Sequence, residues 1–228
     1  MDLIENGISN PIQHWYYQHK FWFIKNSGTW SSESSNRLVD IGAGSALFSK
    51  ELLKLKLVDQ VVAVDKGYVA ISDFSEGIQY CKQTQYRDFS HFLMTDILEH
   101  IKDDREFLSK IVKEADSESS FIITVPALKC LWSGHDTYLK HFRRYRKAEL
   151  ISLVIESGLE VISVRYTFST VFPIAYLVRK LSRADMQESQ LKKNGPLASF
   201  ILRLALIPDR WISTLPFGVS LFLEARKE

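Results

Sequence analysis

The chain predicts an α/β fold, a mostly parallel sheet covered by helices on both faces, and three observations carry that prediction. Short apolar runs such as QVVAVD (60–65) and SFIITVP (120–126) alternate along the 228 residues with segments of helical periodicity. The runs are β-branched and apolar at consecutive positions, as strands buried on both faces are. The first of them, RLVDIG (37–42), ends in an acid and a glycine pair, Gly42 and Gly44, that opens a helix. Sheets of this kind bind ligands at such a turn, at the carboxyl ends of their strands.

The elements follow in order. Residues 11–30, PIQHWYYQHKFWFIKNSGTW, are dense in aromatics and predict a helix packed on the domain, and SSESSN (31–36) is a polar linker. After the first strand, residues 45–57 place Leu47, Phe48, Leu52, Leu53, Leu55 and Leu57 at helical spacing. QVVAVD is the second strand. The stretch 66–87 predicts a short helix and then a strand near IQYCK. SHFLMTD (90–96) is a strand, and DDREFLSKIVKEA (103–115) a helix with an acidic first turn that suits its dipole. SFIITVP closes on proline, and a polar, basic stretch runs over 129–147. KAELISLVIESG is a helix stopped by Gly158. LEVISVRYTF (159–168) and GVSLFLEARK (218–227) are strands about 50 residues apart, with apolar helices between them. The whole of 1–228 reads as one domain, with a cap helix in 1–30 and an apolar helical insertion at 170–217.

Composition excludes several classes. A net charge of +2 does not argue for nucleic acid, and none is expected as a partner. The two cysteines, Cys81 and Cys130, have neither metal-ligand nor redox spacing and suit a reducing compartment. Asp2 and Glu5 interrupt the start of the chain, which has no apolar leader core. The longest apolar runs, VFPIAYLV (171–178) and SFILRLALI (199–207), are shorter than the ~18 residues of a membrane span. A cytoplasmic protein is expected. Segment 170–217 leaves room for peripheral membrane contact, with Arg179, Lys180, Arg183, Lys192 and Lys193 toward headgroups; helices that simply cover the core are the plainer reading.

The glycine turn raises the question of which nucleotide it serves. A dinucleotide fingerprint needs a third glycine to close the helix N-terminus on a pyrophosphate. That position is Leu47, which disfavours NAD and FAD. Asp65, ending VVAVD, is placed to accept two ribose hydroxyl hydrogen bonds. LVDIGAGSALF and VVAVD resemble the first and second motifs of the class I S-adenosylmethionine (SAM)-dependent methyltransferases, with Ala46 where the motif has glycine. MTDILEHIKDD is similar to the D-V-L-E-H segment of the type 11 small-molecule branch. VPALKCLWSGHDTYLKHFRRYRKAEL and HWYYQHK resemble further signatures of one bacterial group within it.

The resemblance implies a Rossmann-like, seven-stranded, mostly parallel sheet with an antiparallel last strand. It implies SAM as cofactor but names no substrate; a small-molecule acceptor methylated at oxygen is the leading expectation. Asp40, Gly42, Ala43, Gly44, Asp65, Lys66, Thr95, Asp96 and Ile97 would hold the cofactor, with Lys20 near its carboxylate. The acid that many members use for adenine has no counterpart, and Gln83 or Thr84 stands nearest to the role. About 25 residues separate Asp65 from the fourth strand, fewer than the family spends.

Methyl transfer needs position and a deprotonated acceptor. In the loop SGHDTYLKHFRRY, His135 or His141 would be the general base, because imidazole titrates near neutrality. Trp15 and Tyr16 would cap the cofactor and contact substrate, Asp136 would contact substrate, and Arg144 and Tyr145 would orient substrate or brace the loop; a solvated basic loop and plain helix packing are the bland alternatives. In ubiquinone-biosynthesis O-methyltransferases a segment like DILEH holds a divalent metal. Here Asp96 is one methylene short, so no metal is expected, and Glu99 and His100 read as backbone hydrogen-bonding residues. A degenerate methyltransferase fold kept as a binding or scaffold protein is the alternative function.

Overall fold

A computed structural model describes residues 11–30, 36–68, 72–181, 195–212 and 214–228. In chain order the strands are β1 (Arg37–Ile41), β2 (Gln60–Val64), β3 (Ser72–Ser75), β4 (Ile78–Cys81), β5 (His91–Thr95), β6 (Ser120–Pro126), β7 (Glu160–Thr167) and β8 (Ser220–Arg226). The helices are α1 (Trp15–Lys25), α2 (Leu47–Lys54), α3 (Asp104–Glu114), α4 (Gly134–Tyr138), α5 (Lys147–Glu156), α6 (Phe172–Leu181) and α7 (Pro196–Ala205). All eight strands join one sheet in the order β3-β4-β2-β1-β5-β6-β8-β7. Pairing is parallel from β4 through β6, and β8 runs antiparallel between β6 and β7.

The eighth strand corrects the expected seven. Where a short helix was expected after Asp65, β3 pairs antiparallel with β4. Between them lie only Glu76 and Gly77, with φ of 53° and 79°. Positive φ at both central residues is the two-residue hairpin turn whose twist matches its strands. Glu-Gly is a weaker signal for it than Asn-Gly, which is why the hairpin is hard to see in the sequence.

The strands alternate between two apolar layers, as the period of two requires. Val39, Ile41, Phe92, Met94, Phe121, Ile123, Leu221 and Leu223 face α3 and α5, while Leu38, Ala63, Leu93, Ile122 and Phe222 face α1 and α2. Phe92 and Phe121 stack across β5 and β6 with centroids 4.3 Å apart. A smaller cluster, Phe168, Val171 and Leu206 with Trp15, Tyr16 and Leu202, joins α1 to the segment between β7 and β8. Within that segment are α6, α7 and a 3-10 turn over Pro208–Arg210. Arg183, Lys192 and Lys193 lie outside the described residues, as do 1–10 of the cap and most of the linker.

Candidate active site

The chain leaves β1 toward β2 on one side, and later adds β5 on the other. The strand order therefore reverses at β1, and the crevice over the ends of β1 and β5 is the expected ligand site. Gly42, just past β1, has φ of 73°, and its nitrogen donates to Val64 O at 2.8 Å. A Cβ there would stand 2.6 Å from Ile97 Cδ1. Glycine is thus required twice over, by its backbone angle and by the side chain that crosses it. Ala43 is buried, and Gly44 N donates to Asp65 Oδ2 at 2.9 Å. Gly67 N reaches the other oxygen of Asp65 at 2.8 Å. The turn after β1 and the acid after β2 are thereby locked together.

Ala46, where a third motif glycine was expected, is a left-handed residue with φ of 52° at the start of α2. Its helix is short of a side-chain cap, and the strained conformation accounts for a preference for glycine at that place.

Asp40 is 2% exposed, accepts from Ser49 Oγ at 2.6 Å through Oδ2, and has no partner for Oδ1. Burial, partly offset by that bond, pushes its carboxyl up to about 6. On the β5 side, Thr95 is buried, and Asp96 takes a left-handed φ of 52°. Asp96 accepts from Lys20 Nζ and from Thr124 Oγ1, the latter at 3.1 Å. Burial would raise the acid and lower the amine, and their mutual attraction overrides it, holding Asp96 low and Lys20 high. Lys20 also lies 4.9 Å from the centre of the Tyr16 ring, which stacks on Phe168. Trp15 stands edge-on to both rings.

A cavity of about 620 Å³ opens beside this turn. Gly42, Asp65, Lys66 and Ile97 line it together with Gln83 and His100. Of Gln83 and Thr84, Gln83 is the one on its wall.

The loop after β6 is built around one buried carboxylate. Asp136 Oδ1 accepts from His141 Nδ1 at 3.0 Å and Arg144 Nε at 2.7 Å; Oδ2 accepts from Ser133 N at 2.9 Å and Ser133 Oγ at 3.2 Å. Those four bonds fill its acceptor sites. Burial raises this carboxyl, but the His141 bond and the Arg144 charge win, holding it well below the ordinary range. Arg144 is spent on Asp136 and on Ala127 O at 3.1 Å, and Tyr145 donates to Asp104 Oδ2 at 2.6 Å. Of the two roles expected for Arg144 and Tyr145, orienting substrate or bracing the loop, these contacts are the second, and Asp136 is the centre of the same bracing.

His141 packs edge-on against His100, centroids 4.6 Å apart, which brings the loop to the cavity wall. Phe142 N bonds Glu99 O at 2.8 Å. Donor atoms of Glu99, His100 and His141 lie within 4.8 Å of one another, ligand types that could hold a cation. Asp96, the acid of the DILEH segment, is instead committed to Lys20. His135 is held down to about 4 by burial despite the adjacent Asp136, and so is neutral at physiological pH.

No protein-family model and no curated protein sequence matches the chain. Solved structures do. The [4+2]-cyclase SpnF is 14% identical, with a TM-score of 0.58 over 93% of this chain and 82% of its own. A SAM-dependent methyltransferase from Archaeoglobus fulgidus is 14% identical, with a TM-score of 0.57 over 93% of this chain and 94% of its own. Phosphoethanolamine N-methyltransferase 2 of Haemonchus contortus, in complex with phosphomonomethylethanolamine and S-adenosylhomocysteine, is 16% identical, with a TM-score of 0.58 over 96% of this chain. The chain spans only 55% of that protein's length. This is the class I methyltransferase fold.

Within this methyltransferase fold, several residues at the site carry no sequence signal. Tyr68 donates to Gly44 O at 2.8 Å, Ser49 to Asp40 and Thr124 to Asp96. Arg179 of α6, expected toward headgroups, instead donates to Leu131 O, and burial and the nearby Arg144 bring its guanidinium down to about 10. Tyr68 lies in the turn after β2, and Ser49 and Thr124 lie on elements whose own apolar pattern is satisfied without them, so only the tertiary contacts mark these three.

Proposed function

We propose that the protein is a SAM-dependent methyltransferase that acts on a small-molecule acceptor, at oxygen, in the cytoplasm. The observation that carries this reading is the Gly42–Gly44 turn bonded to Asp65 over a cavity of about 620 Å³. Asp40, beneath the turn, keeps a buried Oδ1 without a partner, an acceptor that a bound ligand's donor would satisfy. Gly42, Ala43 and Gly44 would let the cofactor's methionine end approach, with Asp65 and Lys66 at the ribose and Thr95, Asp96 and Ile97 along the β5 side. Lys20 holds Asp96 in place and keeps a positive charge near the cofactor's carboxylate. When bound, SAM supplies a methyl group on a cationic sulfur. Both cysteines are free, which supports a reducing compartment.

His141 is the general base in this reading. Its Nδ1–H donates to Asp136, which leaves the lone pair of the neutral ring at Nε2 to take the acceptor's proton. Asp136, held by Arg144, fixes the tautomer, and Tyr145 anchors the loop to α3. His135, with its low basicity, is the weaker candidate. Trp15 and Tyr16 would wall the acceptor.

Calorimetry with SAM and S-adenosylhomocysteine tests the first claim. Saturable heat that disappears in Asp65→Ala is expected, and folded protein that binds neither would end the proposal. A labelled-methyl assay over candidate acceptors tests the second, because a cyclase shares the fold. His141→Ala is expected to lower turnover about a hundredfold or more with SAM affinity intact. Unchanged turnover would remove it from the mechanism.

A further inference from the structure

The segment between β7 and β8 turns an apolar face to solvent. Leu197, Phe200, Ile201, Leu204, Ile207 and Trp211 recur at helical spacing along α7 and the 3-10 turn after it. They are 44–78% exposed. The opposite side of the same helix is already satisfied: Leu206 is buried, and Leu202 packs against Phe168. A surface helix ordinarily carries polar residues on its outer face. Ile174, Leu177 and Val178 on α6 are also more than half exposed. Apolar area on this scale marks an interaction surface.

The charges beside it choose the occupant. Among the described residues of α6, α7 and the 3-10 turn the basic ones are Arg179, Lys180, Arg203 and Arg210. The acid there, Asp209, is fully buried, bonded by His19 Nε2 at 2.7 Å and by the nitrogens of Phe168 and Ser169. Among the described residues, every charge that α6, α7 and this turn present to solvent is therefore positive. An outward apolar stripe, a tryptophan 78% exposed at its end and a cationic border with no exposed acid among the described residues of these elements is the pattern of a helix lying in a bilayer interface. No described helix is long and apolar enough to cross a membrane.

We infer that α6 and α7 dock this protein on an anionic lipid surface, with α7 in the plane of the membrane and Trp211 at headgroup depth. The stripe would supply apolar burial, and Lys180, Arg203 and Arg210 the attraction to headgroup phosphates. The inference goes beyond methyl transfer and does not depend on it.

Sedimentation of the full chain with vesicles of phosphatidylcholine, with and without phosphatidylglycerol, tests it. Binding to the phosphatidylglycerol vesicles that weakens with salt is expected. Leu204→Glu with Trp211→Glu, both at exposed positions, should abolish it while circular dichroism stays native. Lys180→Glu with Arg203→Glu should weaken it about tenfold. Absence of binding to both vesicles, or equal binding to pure phosphatidylcholine, would overturn the inference. So would light scattering that shows a dimer dissociated by the Leu204 and Trp211 substitutions, with no vesicle bound by the wild type.

Discussion

At the scale of single residues, the site is governed by a backbone angle and a buried acid. Gly42 sits at φ of 73° under Ile97, so Gly42→Ala adds a methyl group 2.6 Å from a side-chain carbon in a conformation that L residues avoid. A loss of about 1–2 kcal/mol in denaturant unfolding, with weaker SAM binding, is expected. Asp40 makes its own prediction through pH. Its carboxyl titrates near 6 in the folded chain against an ordinary value of 3.8. Between those values the folded state holds a proton that the unfolded state has lost, so stability falls as pH rises through that window. Thermal unfolding measured across it should show this fall, and Asp40→Asn, which keeps the partner for Ser49, should remove it. A slope unchanged in Asp40→Asn would assign it to another group.

At the scale of elements, the cap helix α1 is tied to the rest by long-range polar contacts as much as by its aromatic face. His19 on α1 meets Asp209, 190 residues away, and Asp209 also closes the end of β7 through Phe168 N and Ser169 N, each at 2.7 Å. Asp209→Ala strands three donors in a buried place. At about 1 kcal/mol for each bond, a loss of about 3 kcal/mol is expected, which for a chain of this size lowers the melting temperature by roughly 6–12 °C. Hydrogen exchange should show the change spread over α1 and the β7 end. Protection lost only at 208–210 would mean that the contact is local. Lys20, the next residue of α1, works in the same way: Lys20→Met would leave the part-buried Asp96 carboxylate without its counter-charge and with Thr124 Oγ1 as its remaining side-chain donor, a larger cost than the loss of a surface ion pair. Motif reading misses both contacts, because neither partner lies in the other's segment.

At the scale of the molecule, the crevice over β1 and β5 should behave as a binding site coupled to folding. Bound cofactor stabilises the folded state alone, by about 2.7 kcal/mol at a hundredfold excess over the dissociation constant. S-adenosylhomocysteine should then raise the melting temperature by roughly 5–10 °C, and a flat response in the wild type would contradict the proposed site. The sequence by itself determined the parallel sheet, the glycine turn, the acid that ends β2 and the bounds of most elements to within a residue or two. These are local properties: consecutive apolar positions demand a strand buried on both faces, and a glycine pair permits a turn that other residues resist. Only the tertiary structure decided the rest. It made a hairpin of residues 72–81, gave Asp96 to Lys20 and Asp136 to His141 and Arg144, and turned the apolar stripe of α7 outward. An apolar pattern states how much of a helix avoids water but not which face finds a neighbour. Likewise, an ionisable residue does not name the opposite charge that will share its burial, since that partner arrives from wherever packing brings it.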